Sequence, residues 1–412
     1  MMKVGKCMEN ESSLNRTPSS ERIHIGFFGM RNAGKSSVVN AILGQQLSIV
    51  SDKKGTTTDP VLKAMELLPL GPVMIIDTPG LDDVGELGEL RVKKSKQMLN
   101  KTDIAVLVVD ATTGLGKQEE DILQLFQKSN LPYLVVYNKC DLINGSNINR
   151  IEPSICVSAK TGENISELKE RITTLVPIED TKLKIVGDLL KPSDFVVLVV
   201  PIDKAAPKGR LILPQQQTIR DILEADATAI VVKEHELSDT LKTIGKKPKL
   251  VITDSQVFAK VSADTPDDIL LTSFSILFAR YKENLETAVR GVKALDCLKD
   301  GDRILIAEGC THHRQCDDIG TVKLPRWIQN YSKKEIHFEF TQGTEFPEDL
   351  SKYKLVVHCG GCTLNEREMK YRILCATNQG IPITNYGILI AYMQGILKRS
   401  IQVFPRIAKE LE

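Results

Sequence analysis

The chain has 412 residues, which suggests about three domains at the usual ~150 residues per domain. Hydrophobic residues make up 42% and charged residues 26%, values typical of globular proteins that exclude general disorder, collagen and coiled coil. The formal net charge is only +1, so bulk electrostatics favour neither nucleic acid nor an anionic membrane as a partner.

The first 22 residues are polar and include Glu9, Glu11 and Glu21. They have neither the apolar core of a signal peptide nor the acid-poor bias of a transit peptide, so we predict a disordered leader over 1–22 and a cytoplasmic location. No later apolar run approaches the ~20 residues that span a bilayer. The nine cysteines are an odd number spread over a long chain, which is not typical of a disulfide framework.

Short β-runs alternate with helical patterns over residues 23–177, which favours βαβ units in a mostly parallel, doubly wound sheet. The predicted strands are Ile23–Phe28, Val73–Asp77, Ile104–Asp110, Tyr133–Asn138 and Ile155–Ser158. The predicted helices are Gly34–Leu43, Gln118–Gln127 and Ile165–Thr174. We therefore predict an α/β domain over residues 23–177.

Two further α/β domains are predicted, over 178–268 and 269–412. The first is a compact βαβ series without a metal-spaced cluster, so a docking or dimerisation role is favoured over a second catalytic site. The second begins with a helical pattern at Ser275–Leu298, continues with strands at Arg303–Ile306 and Leu355–His358, and holds six of the nine cysteines.

Residues 29–36, Gly-Met-Arg-Asn-Ala-Gly-Lys-Ser, fit the phosphate-loop pattern GxxxxGKS between a strand and a helix. The glycines let backbone N–H groups turn toward phosphates, and the helix N-terminus adds its dipole. We expect Lys35 to contact the β- and γ-phosphates and Ser36 to bind Mg²⁺. The predicted nucleotide-binding residues of this loop are Gly29, Asn32, Ala33, Gly34, Lys35, Ser36 and Ser37.

Two downstream motifs follow predicted strands and complete a nucleotide site. In the segment 77–80 (Asp-Thr-Pro-Gly), Asp77 can hold Mg²⁺ through water and the Gly80 N–H can sense the γ-phosphate. Asp141 can accept the N1 and N2 protons of guanine, a pattern that adenine cannot supply, so the site is predicted to take GTP. The predicted base-pocket residues are Asn138, Lys139, Asp141, Ser158, Ala159 and Lys160.

This ordered set of motifs resembles the translation-factor-like GTPases, above all their Era-like and tRNA-modification branch. The resemblance implies that residues 55–59 (Gly-Thr-Thr-Thr-Asp) form the first switch, with Thr57 as a Mg²⁺ ligand beside Ser36. Thr58 replaces the usual Arg, which leaves the choice between Thr56 and Thr57 open. The predicted catalytic residues are Lys35, Thr57, Asp77 and Gly80.

Two kinetic properties follow from the same resemblance. Asn32 occupies the position where potassium-stimulated members bind K⁺; the alternative is an Asn that only bonds its own loop. Leu81 stands where Ras-like enzymes have the glutamine that orients water. We therefore expect slow, K⁺-stimulated hydrolysis and a switch driven by γ-phosphate occupancy, with Gly85 and Gly88 giving the second switch room to move.

Cysteines and histidines gather in two segments that each follow a predicted strand, 310–313 (Cys-Thr-His-His) and 358–362 (His-Cys-Gly-Gly-Cys). The two glycines permit a tight turn, so that Cys359 and Cys362 can face one ion or cluster. Spacing alone leaves three alternatives open: a structural Cys₃His zinc site, an iron–sulfur cluster with one open iron, or a metal-free dithiol. Cys316 is a spare candidate ligand in a plain loop.

A GTPase followed by this cysteine pattern resembles the FeFe-hydrogenase maturation GTPases over nearly the whole chain. Other similar segments are 200–204, 206–214, 253–256, 271–275 and 385–387. The resemblance implies a 4Fe-4S cluster on Cys310, Cys359 and Cys362, with His312 or His358 as a candidate fourth ligand. It also implies a homodimeric scaffold that receives a di-iron precursor from two radical-SAM maturases and delivers it to apo FeFe-hydrogenase.

Two other functions compete with this interpretation. One is a ribosome-assembly or tRNA-modification GTPase with a structural zinc site, which would need clustered basic residues. The sequence has only scattered basic groups, at 93–96 and 246–247, so we expect neither nucleic acid nor membrane as a partner. The other is a GTP-gated redox sensor that uses Cys359 and Cys362 as a dithiol.

Overall fold

The computed structural model describes residues 19–44, 61–78, 98–143, 150–175, 184–202, 211–282, 284–309, 318–343, 345–361 and 364–411. It divides into two compact units, residues 1–178 and 179–412. Its strands form three sheets, which are parallel apart from one strand pair. Strands alternate with helices along the chain, which confirms the predicted α/β class. Residues 1–18 of the predicted leader lie outside the described residues, and Ser19–Glu21 form a short 3-10 helix.

The first unit contains a six-stranded sheet. Its strands are β1 (Ile23–Phe28), β2 (Val61–Leu67), β3 (Gly71–Asp77), β4 (Ile104–Asp110), β5 (Tyr133–Asn138) and β6 (Ser154–Cys156). Its described helices are α1 (Lys35–Leu43), α2 (Lys117–Lys128) and α3 (Ile165–Thr174). The strand order is β2-β3-β1-β4-β5-β6, and only β2 and β3 pair in antiparallel fashion.

Strand β1 lies between β3 and β4, so the strand order reverses at β1. Ligands of open parallel sheets bind at such a point, beyond the carboxyl ends of the strands. Buried hydrophobic clusters cover both faces of the sheet, which explains why β4 is one continuous apolar run until its final Asp110. The loop that follows β1 therefore lies at the edge of the sheet where a ligand is expected.

Strand β2 has no counterpart among the strands predicted from the sequence. This strand is at the edge of the sheet, and most of its positions are exposed or half-buried, with Leu62 58% exposed. Its segment, Val-Leu-Lys-Ala-Met-Glu-Leu, has no continuous apolar run. Its strand conformation comes from pairing with β3 along its whole length, which is a tertiary interaction rather than a local pattern.

The second unit contains two four-stranded parallel sheets. The first has β7 (Phe195–Val199), β8 (Thr228–Val232), β9 (Leu250–Thr253) and β10 (Leu270–Ser273) in the order β10-β9-β7-β8. The second has β11 (Arg303–Ala307), β12 (His337–Thr341), β13 (Leu355–His358) and β14 (Ile383–Asn385) in the order β12-β11-β13-β14. One hydrophobic cluster runs through both sheets and their helices.

Helices of this unit pack around the two sheets. They are α4 (Leu213–Glu224), α5 (Leu237–Thr243), α6 (Phe258–Asp264), α7 (Phe274–Tyr281), α8 (Leu285–Val292), α9 (Leu324–Ser332), α10 (Glu366–Asn378), α11 (Tyr386–Met393), α12 (Leu397–Ser400) and α13 (Pro405–Ala408). A single π-helical turn, Ile319–Lys323, leads into α9. Within the described ranges, every helix is too short or too polar to cross a membrane.

The helical pattern predicted over Ser275–Leu298 is wrong in its continuity. Helix α7 ends at Tyr281, α8 begins at Leu285, and a 3-10 helix follows at Lys293–Cys297. Lys282 follows the last residue of α7 and is buried. Periodicity cannot reveal such a break, because a buried amine needs hydrogen-bond partners that come from a distant part of the chain.

Candidate functional site

The phosphate loop connects β1 to α1 and is tied to the predicted base pocket. Gly34 has φ 88, and a Cβ atom there would lie 2.3 Å from Asn138 Nδ2, so this position requires glycine. Asn138 Nδ2 donates to the Ala33 carbonyl at 3.0 Å, and Asn138 Oδ1 accepts from the Ala159 N–H at 3.0 Å. Asn138 thereby brings the two ends of the predicted nucleotide site together.

Lys35 places a positive charge inside the loop. Its side chain is buried, with 7% of the residue exposed, and Nζ donates to the carbonyl oxygens of Gly29 at 2.9 Å and Met30 at 2.8 Å. A buried ammonium group is stable only where oxygen atoms replace its lost water. The loop carbonyls provide those atoms and hold the amine beside the first loop residues.

Ser36 and Asp77 form the candidate magnesium site. Ser36 Oγ donates to Asp77 Oδ2 at 2.6 Å, and Asp77 Oδ1 is buried without a hydrogen-bond partner among the described residues. Burial raises the pKa of this carboxyl group. A hard divalent cation with oxygen ligands would satisfy the buried oxygen, so these residues fit Mg²⁺. Thr57 and Gly80, also predicted here, lie outside the described residues.

The predicted guanine contacts lie together at the other end of the site. Ser158 Oγ donates to Asp141 Oδ1 at 2.7 Å, and Asp141 itself is exposed. Lys139, with φ 68, donates from Nζ to Asp110 Oδ2 at 2.5 Å. Burial opposes ionisation of Asp110, but hydrogen bonds from Lys139 and Thr112 outweigh it and lower its pKa. An ion pair therefore orients Lys139 beside the base pocket.

The remaining predicted nucleotide contacts are exposed. Ser37 and Lys160 face solvent, as does Asn32, whose φ of 65 is a left-handed conformation that asparagine tolerates. The predicted first switch, residues 55–59, lies outside the described part of the chain. The K⁺ role of Asn32 therefore stays a prediction.

The segment 359–362 follows β13, and we call it the cysteine turn. Strands β11 and β13 are parallel neighbours with Ala307 opposite His358, and the strand order of this sheet reverses between them. A ligand site is expected at the carboxyl ends of these two strands. Cys359 lies there, whereas Cys310, which closely follows β11, and Cys362 lie outside the described residues.

The Cys359 sulfur accepts two backbone N–H groups, from Gly309 at 3.0 Å and Gly361 at 3.4 Å. Donors directed at a sulfur favour its thiolate form, which is the form that binds metals. Gly361 has φ 60, and a Cβ atom there would lie 2.7 Å from Met369 Sδ. The cysteine turn therefore needs glycine at this position. Within the described ranges, no three Cys, His, Asp or Glu side chains form a metal site.

His358 lies directly before the cysteine turn and is 1% exposed. Nδ1 lies 2.7 Å from the Cys359 carbonyl oxygen, so it carries the proton, and Nε2 lies 3.0 Å from Arg372 Nη1. Burial, followed by the charge of Arg372, lowers the pKa of His358 to about 3. Both ring nitrogens are engaged by protein groups, and the role of His358 as a candidate fourth ligand stays a prediction. His312, the other candidate, lies outside the described residues.

Sequence reasoning missed Arg372, which holds His358 in place. The Arg372 side chain is fully buried, and Nη2 donates to Glu368 Oε1 at 2.8 Å and to the Gly343 carbonyl. In the sequence, Glu368 and Arg372 are an ordinary i, i+4 pair of the kind common on exposed helix faces. Only the burial of α10 against β13 could identify this pair as part of the site.

Glu308 and Tyr386 form a second buried polar pair beside the cysteine turn. Tyr386 donates its hydroxyl to Glu308 Oε1 at 3.2 Å, while Glu308 Oε2 is buried without a partner in the described part of the chain. Burial and the charge of Glu308 raise the pKa of Tyr386 far above its ordinary value. Gly320 packs on both side chains, since a Cβ atom there would lie 2.3 Å from each. The pair therefore contacts the π-helical turn that follows residues 310–317.

Three segments that the sequence analysis could not interpret chemically meet in the second unit. Ser255 Oγ and Ser275 Oγ lie 3.0 Å apart, and a Cβ atom on Gly387 would lie 2.2 Å from Ser275 Cβ. Segments 253–256, 271–275 and 385–387 thus form one contact between the two sheets of this unit. Their role is packing at the strand ends.

Two family models match the second unit. The Hydrogen maturase F dimerization domain matches residues 185–283, and the Hydrogen maturase F tetramerization domain matches residues 286–403. They lie in succession and together cover more than half of the chain. This chain belongs to the hydrogen maturase F family. The resemblance inferred from the sequence is thereby confirmed.

The first unit of this hydrogen maturase F chain carries a GTPase domain. Residues 24–139 match the model of a 50S ribosome-binding GTPase. GTPase Era of Aquifex aeolicus is 28% identical over 284 residues, which are 68% of this chain and 86% of Era. These matches confirm that the chain carries the predicted GTPase domain.

Other relatives match the GTPase part alone. GTPase Der of Wolinella succinogenes is 34% identical over 180 residues, which are 40% of this chain and 37% of Der. The tRNA modification GTPase MnmE of Thermosipho melanesiensis is 35% identical over 150 residues, 36% of this chain and 33% of MnmE. The chain thus spans little more than a third of these two relatives. A crystal structure of an Aquifex aeolicus Era variant bound to GDP·AlF4⁻ aligns at 23% identity with a TM-score of 0.35, over 54% of this chain and 98% of that one.

Proposed function

We propose that this chain is a GTP-hydrolysing scaffold that binds a 4Fe-4S cluster and assembles or delivers the di-iron subcluster of FeFe-hydrogenase to the apo-enzyme. The observation that supports it is the position of Cys359, at the order reversal of its sheet, with two N–H donors on its sulfur. Cys310, Cys359 and Cys362 hold the cluster in this proposal. Three thiolates leave one iron of the cluster with an exchangeable ligand, as a carrier requires. A Cys₃His zinc site has four protein ligands and no open coordination position.

The GTPase half uses the phosphate loop and the strand ends beside it. In the proposal, Ser36, Thr57 and Asp77 hold Mg²⁺ and Lys35 stabilises charge on the phosphates. The Gly80 N–H senses the γ-phosphate. Hydrolysis is slow, and the nucleotide state biases the docking of cargo or partners rather than supplying energy to the chemistry.

GTP hydrolysis should be faster in KCl than in NaCl at equal ionic strength, and Asn32→Ala should remove that difference. The physical reason is that K⁺ bound beside the phosphates adds positive charge where negative charge develops. Phosphate release in the two salts measures the effect. Asn130→Ala is the matched control, because Asn130 is also exposed and left-handed, with φ 46. Equal wild-type rates in both salts would contradict the K⁺ proposal.

Asp141→Asn should weaken GTP binding by about 10²-fold or more and favour xanthosine triphosphate. A carboxylate accepts the two N–H groups of guanine, whereas an amide offers one acceptor and one donor and matches the N1–H and C2 carbonyl of xanthine. Competition binding with both nucleotides measures the change. The exposed Asp121→Asn on α2 is the control. Unchanged GTP affinity in Asp141→Asn would remove Asp141 from the base pocket.

We also propose a homodimer through the domain at 178–268. Strand β8 is an edge strand of its sheet, with Val231 45% exposed, and edge strands present unpaired N–H and C=O groups to a partner. The matched dimerization and tetramerization models support self-association. Two radical-SAM maturases and apo FeFe-hydrogenase are the other proposed partners, in the cytoplasm, without nucleic acid or membrane.

The proposal is tested by the iron, sulfide and zinc content of anaerobically purified protein, with EPR of the dithionite-reduced sample. We expect about four irons per chain, as in a 4Fe-4S cluster, and the signal of a reduced cluster. Stoichiometric zinc without iron, even after anaerobic reconstitution, would overturn the scaffold proposal. It would leave a GTPase with a structural zinc site.

A further inference from the structure

Lys282 lies at the break between α7 and α8, and its amine reaches the cysteine turn. The residue is 7% exposed, and Nζ donates to the carbonyl of Gly361 and, at 3.1 Å, to the carbonyl of Leu364. The N–H of the same Gly361 donates to the Cys359 sulfur at 3.4 Å. A single residue, Gly361, therefore links a buried cation to a sulfur that we place on the cluster.

Helix geometry alone does not explain this burial. A lysine at the C-terminal end of a helix ordinarily keeps its amine in water, where it interacts with the last helix carbonyls. Lys282 follows the last residue of α7, yet its amine donates to carbonyls that lie 79 and 82 positions later in the chain. Removing an ammonium group from water costs free energy. Without a compensating role at this turn, a position at the surface would therefore be favoured for the amine.

Charged groups of both signs act on the side chains beside the cysteine turn. The positive charges of Lys282 and Arg372 act on the His358 ring. The negative charges of Glu308 and Asp318 act on the Tyr386 hydroxyl. Lys282 also hydrogen-bonds the backbone between the two cysteines of the turn.

We propose that Lys282 is a positioning residue for the 4Fe-4S cluster, which fixes the cysteine turn and raises the reduction potential of the bound cluster; this rests on the proposed function. Reduction adds one negative charge to the cluster. A nearby cation in a buried site of low effective dielectric stabilises the reduced form more than the oxidised form. Its hydrogen bonds also hold the peptide units between Cys359 and Cys362 in the conformation that binds metal.

Three variants separate charge from hydrogen bonding. Lys282→Met removes both, Lys282→Gln keeps N–H donors without the charge, and Lys282→Arg keeps both. Each full-length protein is reconstituted anaerobically, assayed for iron and sulfide, and titrated with EPR detection of the reduced cluster. The exposed Lys293→Met is the matched control from the same unit.

We expect the midpoint potential to fall in Lys282→Met and Lys282→Gln, while Lys282→Arg and Lys293→Met stay at the wild-type value. A tenfold change in the reduction equilibrium, the size we expect as a minimum, corresponds to ~59 mV for one electron. Iron release to a chelator should be fastest in Lys282→Met, since it lacks the donors as well as the charge. If Lys282→Met does not fold, the comparison of Lys282→Gln with Lys282→Arg still isolates the charge.

The outcomes distinguish this inference from the function on which it rests. A wild-type protein that binds no iron–sulfur cluster overturns both. The role of Lys282 is overturned if the wild-type protein holds a full cluster and both Lys282→Gln and Lys282→Met keep the wild-type midpoint potential and iron retention. That outcome leaves the scaffold proposal intact.

Discussion

Lys35→Ala should reduce GTP hydrolysis by at least about 10²–10³-fold, the usual cost of removing one group that stabilises transition-state charge, while iron and sulfide content stay at the wild-type level. Lys35 Nζ is held inside the phosphate loop by two carbonyl oxygens, and alanine leaves no cation there. Phosphate release and metal analysis on the same preparation measure both effects.

The control for this variant is Lys117→Ala, which removes an exposed lysine at the start of α2 in the same unit. It should hydrolyse GTP at the wild-type rate. A Lys35→Ala protein that is well folded and hydrolyses GTP normally would show that the phosphate loop is not the catalytic site.

Cys359→Ser should lose most of the bound iron and the reduced-cluster EPR signal while GTP hydrolysis stays unchanged. The serine hydroxyl remains protonated at neutral pH and is a poor ligand for iron in such clusters, whereas the Cys359 sulfur is favoured as thiolate by two N–H donors. Iron and sulfide analysis after anaerobic reconstitution measures the loss.

The matched control is Cys297→Ser, because Cys297 belongs to the same unit and is an exposed free cysteine. It should retain the full cluster. Retention of four irons in Cys359→Ser would exclude Cys359 as a ligand. If Lys35→Ala or Cys359→Ser abolished both hydrolysis and cluster binding in folded protein, the two sites would not be separable as we propose.

Separability has a physical basis in the fold. The phosphate loop and base pocket lie in the unit 1–178, and the cysteine turn lies in the unit 179–412. Each unit has its own buried hydrophobic clusters. A point substitution at one site therefore leaves the hydrophobic core of the other unit intact.

Much of the secondary structure could be predicted because the parallel strands are buried on both faces. The five strands and three helices predicted for the first unit agree with the structure within two residues at their ends. Strands β2 and β12 were missed, since both are edge strands with mixed exposure. Strand β14 has only three residues, which is too short to show any periodicity.

The sequence by itself determined the nucleotide motifs, the α/β class and the family, because these depend on residue types at short, fixed spacings. Only the tertiary structure decided the surroundings of the cysteine turn: His358 with both nitrogens engaged, Arg372 behind it, and the amine of Lys282 on Gly361. The Lys282 contact joins residues far apart in the chain, and the Arg372 contact depends on burial of a helix face. Spacing along a sequence carries no information about such partners, since burial converts an ordinary charged residue into part of a site.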